Sequence, residues 1–582
     1  MKYSISYKNP LSSFIDIQLL LREVASETIY VQLPAWRPGR YELGNFAKNI
    51  RRFEVFDGDG NILKFQKVTK DRWKIFTNGS DVVDIRYEYF AAQMDAGSTY
   101  LDEEQLYINF VNCLLYMEGR LEVPCEIELH VPPDYTIACG LESAGNNVLK
   151  AIDYYHLVDA PMVASAGLQK LQYQVGEKDF FIWLMGKHML DTPKLIQDFE
   201  AFTAQQLRVM GDFPFEQYHF LIQLLPYKHY HGVEHHNSTV ITLGPWEKMH
   251  AREGYQNLMG ICSHELFHAW NVIKIRPEEM MPYDFTGENY FKTGFVAEGF
   301  TTYFGDLFLV RSGFFKPSEY VEELNKLLKK HFENFGRFNL SIADSSYDLW
   351  LDGYSAGIPD RKVSIYIKGA IVAMILDLEI RRATKNSASL DTLIRTLWET
   401  YGKPSRGYAL DDIRLEAEKI AGISFKGYFD DFIYGTLAVE EKLSELLGFI
   451  GLQLTRSDSS KYHETWFGFK LTEKEGKSIV AALAPGALAA AGLAKDDEIV
   501  AINHRRVESN VEELIKEKPV VEMMVFRKNL LHHVQLTKGE ARFYPQWRVI
   551  PKDEMQPDEI ANFISWLHVV QPEKASEVDK NK

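Results

Sequence analysis

Alternation of apolar and polar residues runs through the first third of the chain. FIDIQLLL (14–21), ETIYVQL (27–33), RRFEVFDGDGNILKF (51–65), VVDIRYEYF (82–90) and CEIELHV (125–131) carry strand-type alternation or β-rich runs. DGDGN at 57–61 predicts a hairpin turn. Residues 1–170 are therefore expected to form an antiparallel β-sandwich or saddle. PAWRPGRY at 34–41 reads as a Pro/Gly-rich corner.

Beyond residue 190 the apolar spacing lengthens to that of helices. LIQDFEAFTAQQLRVM (195–210), YQNLMGICSHELFHAWNVI (255–273), PSEYVEELNKLLKKHFENF (317–335) and LDTLIRTLWETYG (390–402) show it. One strand-like stretch, YHFLIQLLP (218–226), precedes a His-rich segment. Short strands return in TWFGFKLT (465–472), in 478–507 and in VVEMMVFRKNLLHHVQL (520–536). The polar end, PEKASEVDKNK (572–582), is expected to fray. The fold class is multidomain α+β. The expected divisions are a β domain (1–170), a catalytic α+β domain (171–310), a helical domain (311–448), a small β-rich unit (449–540) and a C-terminal segment (541–582).

Length and composition narrow the function. A chain of 582 residues exceeds one hydrophobic core. A net charge of -16 argues against nucleic acid, which needs a basic field. Such a surface serves solubility, and it is compatible with attraction for peptide amino termini. The four cysteines, Cys113, Cys125, Cys139 and Cys262, lack the spacing of a zinc or redox motif and read as reduced, buried thiols. The start, MKYSISYKNPLSSF, has no apolar signal core, and runs such as GAIVAMIL (369–376) are too short to span a membrane. A cytoplasmic protein is expected, or a periplasmic one if a signal segment has been removed.

The chemistry begins at HELFH, residues 264–268. Helical residues four apart share a face, so His264 and His268 would grip one zinc ion while Glu265 acts as base on water activated there. The bland alternative is a helix with two hydrogen-bonded core histidines. A catalytic zinc needs a third protein ligand, and GFVAEGFTTYFGD (294–306) offers Glu298 amid apolar residues. Thr301, Thr302 and Asp306 are unranked candidates to support a ligating histidine. Tyr366, at the start of an apolar helix, would donate to an oxyanion. HYHGVEHHNST (229–239) allows three readings: a second metal site, a substrate-edge strand with Glu234 taking a peptide's amino group, or an exposed polar loop.

HELFHAWNVIKIRP (264–277) followed by AEGFTTYF (297–304) resembles the PDZ-bearing glycyl aminopeptidases, a gluzincin family and the sixty-first metallopeptidase family. LPAWRPGRY (33–41) and YINFVNCLLYMEGR (107–120) resemble its N-terminal β domain, and GVEHHNST (232–239) its substrate strand. YIKGA (366–370) resembles an element shared with the aminopeptidase N clan. WFGFKL, APGALAAAGL and DDEIVAINHRRV, within 466–507, resemble a PDZ domain.

The resemblance implies a thermolysin-like catalytic domain, with one zinc on His264, His268 and Glu298. It implies Glu265 as base, Tyr366 as oxyanion donor, and Glu234, with Gly232 and His235, as the substrate-binding strand. It further implies peptide substrates with a free amino terminus and a small first residue, Gly or Ala. Phe295 stands where relatives often carry Trp. In the PDZ-like unit, the loop Phe467–Gly468–Phe469 would hold the carboxylate of an added peptide strand. The alternatives are a zinc endopeptidase with PDZ-tethered substrates and a non-catalytic peptide-binding scaffold.

Overall fold

A computed structural model describes residues 1–355 and 357–569. The polar end at 572–582 lies outside the described residues. The chain forms two compact units. The first comprises Met1–Lys316, Ile342–Gly357 and Lys368–Tyr434; the second comprises Pro317–Ser341, Ile358–Ile367 and the residues from Gly435 onward.

The first unit opens with β-structure. In Phe14–Leu21 every second residue, from Ile15 to Leu21, is buried, which is the alternation that the sequence carries. This strand lies in a seven-stranded sheet between Lys2–Ser6 and Val83–Phe90. Two four-stranded sheets accompany it. Pairing is antiparallel except that Lys2–Ser6 lies parallel to Cys125–Leu129, which is far from it in sequence. The turn at 57–61 forms as expected: Asp57 Oδ1 accepts from the N–H groups of Asp59 (3.0 Å) and Asn61 (2.8 Å). All four cysteines are buried and free.

A mixed five-stranded sheet follows, in the order Gln169–Val175, Lys178–Met185, Gln217–Leu224, Ser238–Gly244, His229–His235. Its three central strands are parallel and buried on both faces, so they read as apolar strings rather than alternation. Parallel neighbours need a crossover, and Thr192–Met210 supplies it, capped by Asp191 accepting from Lys194 N–H (3.2 Å). The His-rich segment is itself the outer strand, antiparallel to Ser238–Gly244.

Three helical elements lie close together. Arg252–Phe267 packs against Thr301–Arg311 through Gly305, where a Cβ would stand 3.3 Å from His264 Cα. Ile367–Thr384 is buried on every side from Lys368 to Arg381. GAIVAMIL is thus a core helix; among the described residues no helix is long and apolar enough to cross a membrane. Buried Asp377 on this helix accepts from Tyr303 Oη (2.6 Å), Arg381 Nε (3.0 Å) and Leu390 N–H (2.8 Å), tying three helices.

The second unit contains the helices Pro317–Phe332 and Glu440–Phe449 and a sheet ordered Phe469–Lys474, Lys477–Leu483, Glu498–Ile502, Val520–Arg527, Leu530–Thr537. Phe467, Phe469, Val480, Ile499, Met523 and Val525 fill its core, beside the short helix Val511–Ile515. This is the PDZ-like unit.

Gly369 permits a close helix contact in the first unit. A Cβ there would lie 2.7 Å from Gly299 Cα and 3.1 Å from Phe295 O. Gly369→Ala is expected to cost about 1–3 kcal/mol through overpacking. A thermal melt should show Tm several degrees lower; an unchanged Tm contradicts this packing.

Candidate metal centre

The HELFH helix presents His264 and His268 one turn apart, with their Nε2 atoms 3.0 Å from each other. Glu298 reaches them from a separate element. Its Oε2 lies 3.4 Å from His268 Nε2 and 3.7 Å from His264 Nε2. Glu298 belongs to a π-type turn, Phe295–Phe300, that runs into Thr301–Arg311. His268 and Glu298 are buried, and His264 is partly open.

These donors fit a metal ion. Bonds of ~2.0–2.1 Å in a tetrahedral site put neighbouring donors about 3.3 Å apart. His268 Nδ1 donates to Asn271 O (2.6 Å), which fixes the tautomer and leaves the Nε2 lone pair free. Two imidazoles and a carboxylate with an open side are a donor set suited to zinc.

The charge balance points the same way. Burial disfavours a charged His268, yet the carboxylates of Glu234, Glu298 and Glu265 outweigh it and push its pKa up to about 10. Burial also opposes ionised Glu298, but His268 and His264 hold it down to about 2. Glu234 is pushed up to about 7 by burial, with Glu298 adding and His268 opposing. Glu265 rises well above the usual carboxylate range, mainly through burial, with Glu234 and Glu298 contributing. Three buried carboxylates around two imidazoles lack positive charge, and a divalent cation supplies it.

Glu265 lies beside the donors. Glu234, Glu265 and His268 form a second group whose ligand atoms are within 4.8 Å of one another. Glu265 Oε2 is buried without a partner, and Oε1 faces Gly232 of the outer strand. A Cβ on Gly232 would fall 2.2 Å from that oxygen, so only glycine fits. Glu234 shares the face of Gly232 by the strand's alternation. His235, on the other face, is turned to Asp159, with Nδ1 3.0 Å from Oδ1. The groups able to hold an ion among the described residues include none of His229, His231, His235 and His236. The segment is a partly buried edge strand rather than an exposed polar loop.

Sequence reasoning missed two contributors. Asn271 receives His268, and its amide donates to Val296 O (2.8 Å), Ala297 O (3.3 Å) and Thr301 Oγ1 (3.1 Å). One residue thus couples both parts of the donor set; Thr301 supports the histidine through Asn271. Asn271 lay three residues beyond the motif and carried no separate signal. The second contributor is the corner at 34–41. Gly39, at φ +77°, abuts Glu234: a Cβ there would lie 2.7 Å from Oε2. Trp36 Nε1 donates to Asp284 O (2.6 Å) and its ring meets Trp350 edge-on, pinning the loop. Tyr41 Oη is buried without a partner, and Tyr41 N–H donates to Tyr354 Oη (3.3 Å).

Tyr366 lies in the turn before Ile367–Thr384, within the segment 358–367 of the second unit, and is half-buried. In the PDZ-like unit, Gly468 (φ +74°) donates its N–H to His463 O (3.0 Å) and Glu464 O (3.2 Å). Phe469 pairs with Leu483, and Phe467 is buried in the core.

Comparison with known proteins follows the same architecture. A family model described as the Peptidase M61 N-terminal domain matches residues 2–166. Another, described as M61 glycyl aminopeptidase, matches residues 257–372. The fold is similar to that of an aminopeptidase N family protein from Idiomarina loihiensis, with a TM-score of 0.89, 26% identity, and coverage of 97% of this chain and 99% of that one. An M1 zinc metallopeptidase from Deinococcus radiodurans is similar at a TM-score of 0.46 and 13% identity, over 75% of this chain and 94% of that one. A mutant of an M1 zinc metallopeptidase from the same organism, bound to a Tyr-Ser-Ala substrate, gives 0.47 and 12% over the same shares. No curated protein matches the chain.

Gly232→Ala tests the geometry around Glu265. The added methyl displaces the carboxylate without touching the metal donors. Turnover should fall ~10²-fold or more while the metal content stays at one per chain. Unchanged turnover contradicts the placement of Glu265 against Gly232.

Proposed function

This chain belongs to the M61 glycyl aminopeptidase family, and from that premise we propose that it is a zinc aminopeptidase that removes a small residue, Gly or Ala, from peptides. The observation that carries this reading is a buried carboxylate, Glu234, placed beside the base candidate Glu265 and abutted by the corner at Gly39. An acid there favours the free ammonium group of a peptide's amino terminus.

Zinc, when bound by His264, His268 and Glu298, supplies Lewis acidity and lowers the pKa of water toward neutrality. Glu234 holds the substrate's α-ammonium and sets the register. Glu265 takes a proton from the attacking water and delivers it to the leaving amine. Tyr366 donates its phenolic hydrogen to the developing oxyanion. Gly232 gives Glu265 its space, and His235 fixes the strand end through Asp159.

The PDZ-like unit is proposed to take an extended carboxyl terminus along Phe469–Lys474, at the edge of its sheet. A carboxylate at Phe467–Phe469 would have to draw Gly468 N–H away from His463 and Glu464. Four free, buried thiols fit a reducing compartment and hence the cytoplasm.

The test uses Gly- and Ala-initiated peptides with free and acetylated amino ends. Acetylation should abolish cleavage; undiminished cleavage would make the protein an endopeptidase. Glu265→Gln should lose at least ~10²–10⁴ in rate with zinc retained. Full activity in that variant defeats the mechanism. Tyr366→Phe should lose ~10²–10³ in kcat with little change in KM. An unaltered kcat removes Tyr366 from its role.

A further inference from the structure

The outer strand His229–His235 carries an aromatic ring that the mechanism does not use. Side chains alternate along a strand, so Tyr230 stands on the face of Gly232 and Glu234. The register with Ser238–Gly244 is unbroken: Tyr230 is opposite Leu243, Gly232 opposite Ile241 and Glu234 opposite Thr239. That face meets the HELFH helix. A Cβ on Gly232 would fall 2.2 Å from Glu265 Oε1, and Glu234 groups with Glu265 and His268. Tyr230 follows on the same face, two residues or ~6.6 Å past Gly232 and away from Glu234.

Burial changes along the strand in the same direction. Val233, Glu234 and His235 are buried, His229, His231 and Gly232 are partly buried, and Tyr230 is 59% exposed. The closed end holds the acid and the open end holds the ring. His229–His235 is also the last strand of its sheet, so among the described residues no further strand pairs with its outer side. An extended peptide can add to such an edge.

Two contacts set the register of that peptide. Its amino group lies at Glu234, and its scissile carbonyl lies at Glu265, level with Gly232. It therefore runs antiparallel to the strand, with its leaving part toward the open end. The first residue is opposite Gly232, the second opposite His231 and the third opposite Tyr230. Residues directly opposed share a face, with Cβ atoms ~4.5–5.5 Å apart.

We infer that Tyr230 is a specificity-determining residue that packs against the third side chain of the peptide, in its leaving part, and favours an aromatic group there. The ring offers apolar area, and aromatic pairs across a strand add an edge-to-face or offset attraction. Gly232 offers no side chain to the first residue, so the selection falls two residues further on. Dipeptides miss the contact, and peptides of three residues or more gain it. This inference rests on the aminopeptidase reading, which places the amino group and the scissile bond.

The experiment measures initial glycine release from the carboxamides of Gly-Ala-Phe, Gly-Ala-Ala and Gly-Phe-Ala by the full, zinc-loaded chain. The wild type should favour Gly-Ala-Phe over Gly-Ala-Ala by ~3–10-fold in kcat/KM, mostly through KM. Tyr230→Ser should bring that ratio close to one, and Tyr230→Phe should keep it. The ratio of Gly-Phe-Ala to Gly-Ala-Ala should be the same in wild type and Tyr230→Ser. Calorimetry on zinc-loaded Glu265→Gln reads binding without turnover and should show the same preference for Gly-Ala-Phe. Equal treatment of Gly-Ala-Phe and Gly-Ala-Ala by the wild type overturns the inference, whatever the variants do. A ratio that survives in Tyr230→Ser, or a Tyr230 effect at the second residue instead of the third, also overturns it. Failure to cleave any of the three defeats the aminopeptidase reading instead, while the calorimetric preference still reports on Tyr230.

Discussion

Two imidazole nitrogens 3.0 Å apart, with a buried carboxylate beside them, form a contact that a divalent cation makes favourable. Around them stand two further carboxylates, Glu234 and Glu265, also buried. Held without a cation, this group forces a proton onto His268 and raises both flanking acids. With a cation the same residues would offer two imidazole donors and one anionic donor, with Glu265 and Glu234 proposed as the base and as the acid that faces the substrate amine. The first unit is arranged to bring these five side chains together from three separate stretches of chain.

Glycine makes that convergence possible. Gly305 lets the helix after Glu298 approach the backbone of His264, and Gly369 lets the long core helix meet Gly299, the neighbour of Glu298. Gly232 and Gly39 do the same for the side chains of Glu265 and Glu234. Each is a place where a methyl group would enter an occupied volume. Asn271 adds the polar counterpart, since it binds His268 and the turn of Glu298 at once. The precision of the site thus comes from residues without chemistry of their own.

Much of this was legible in the sequence. HELFH at helical spacing marked two members of the donor cluster, and an acid in FVAEGF marked the third, because an acid amid apolar residues needs a partner. The alternation of FIDIQLLL gave its strand correctly. The central strands of the mixed sheet were harder, because burial on both faces removes alternation and leaves apolar strings such as YHFLIQLL. The segment HYHGVEHHNST admitted three readings; its pairing with Ser238–Gly244 makes it an edge strand. PAWRPGRY read as a corner, which it is. That the corner carries Gly39 to Glu234, nearly two hundred positions away, is a long-range fact that no local pattern encodes.

Everything depends on whether His264, His268 and Glu298 hold one cation. X-ray absorption at the zinc edge of the full chain measures this most directly. The account predicts one zinc per chain, bound by two imidazole nitrogens and carboxylate oxygen at about 2.0–2.2 Å, with one exchangeable light atom and no sulfur. It also predicts that the spectrum collapses in Glu298→Gln. Sulfur in the coordination sphere, or the same spectrum after loss of both His264 and His268, would contradict it.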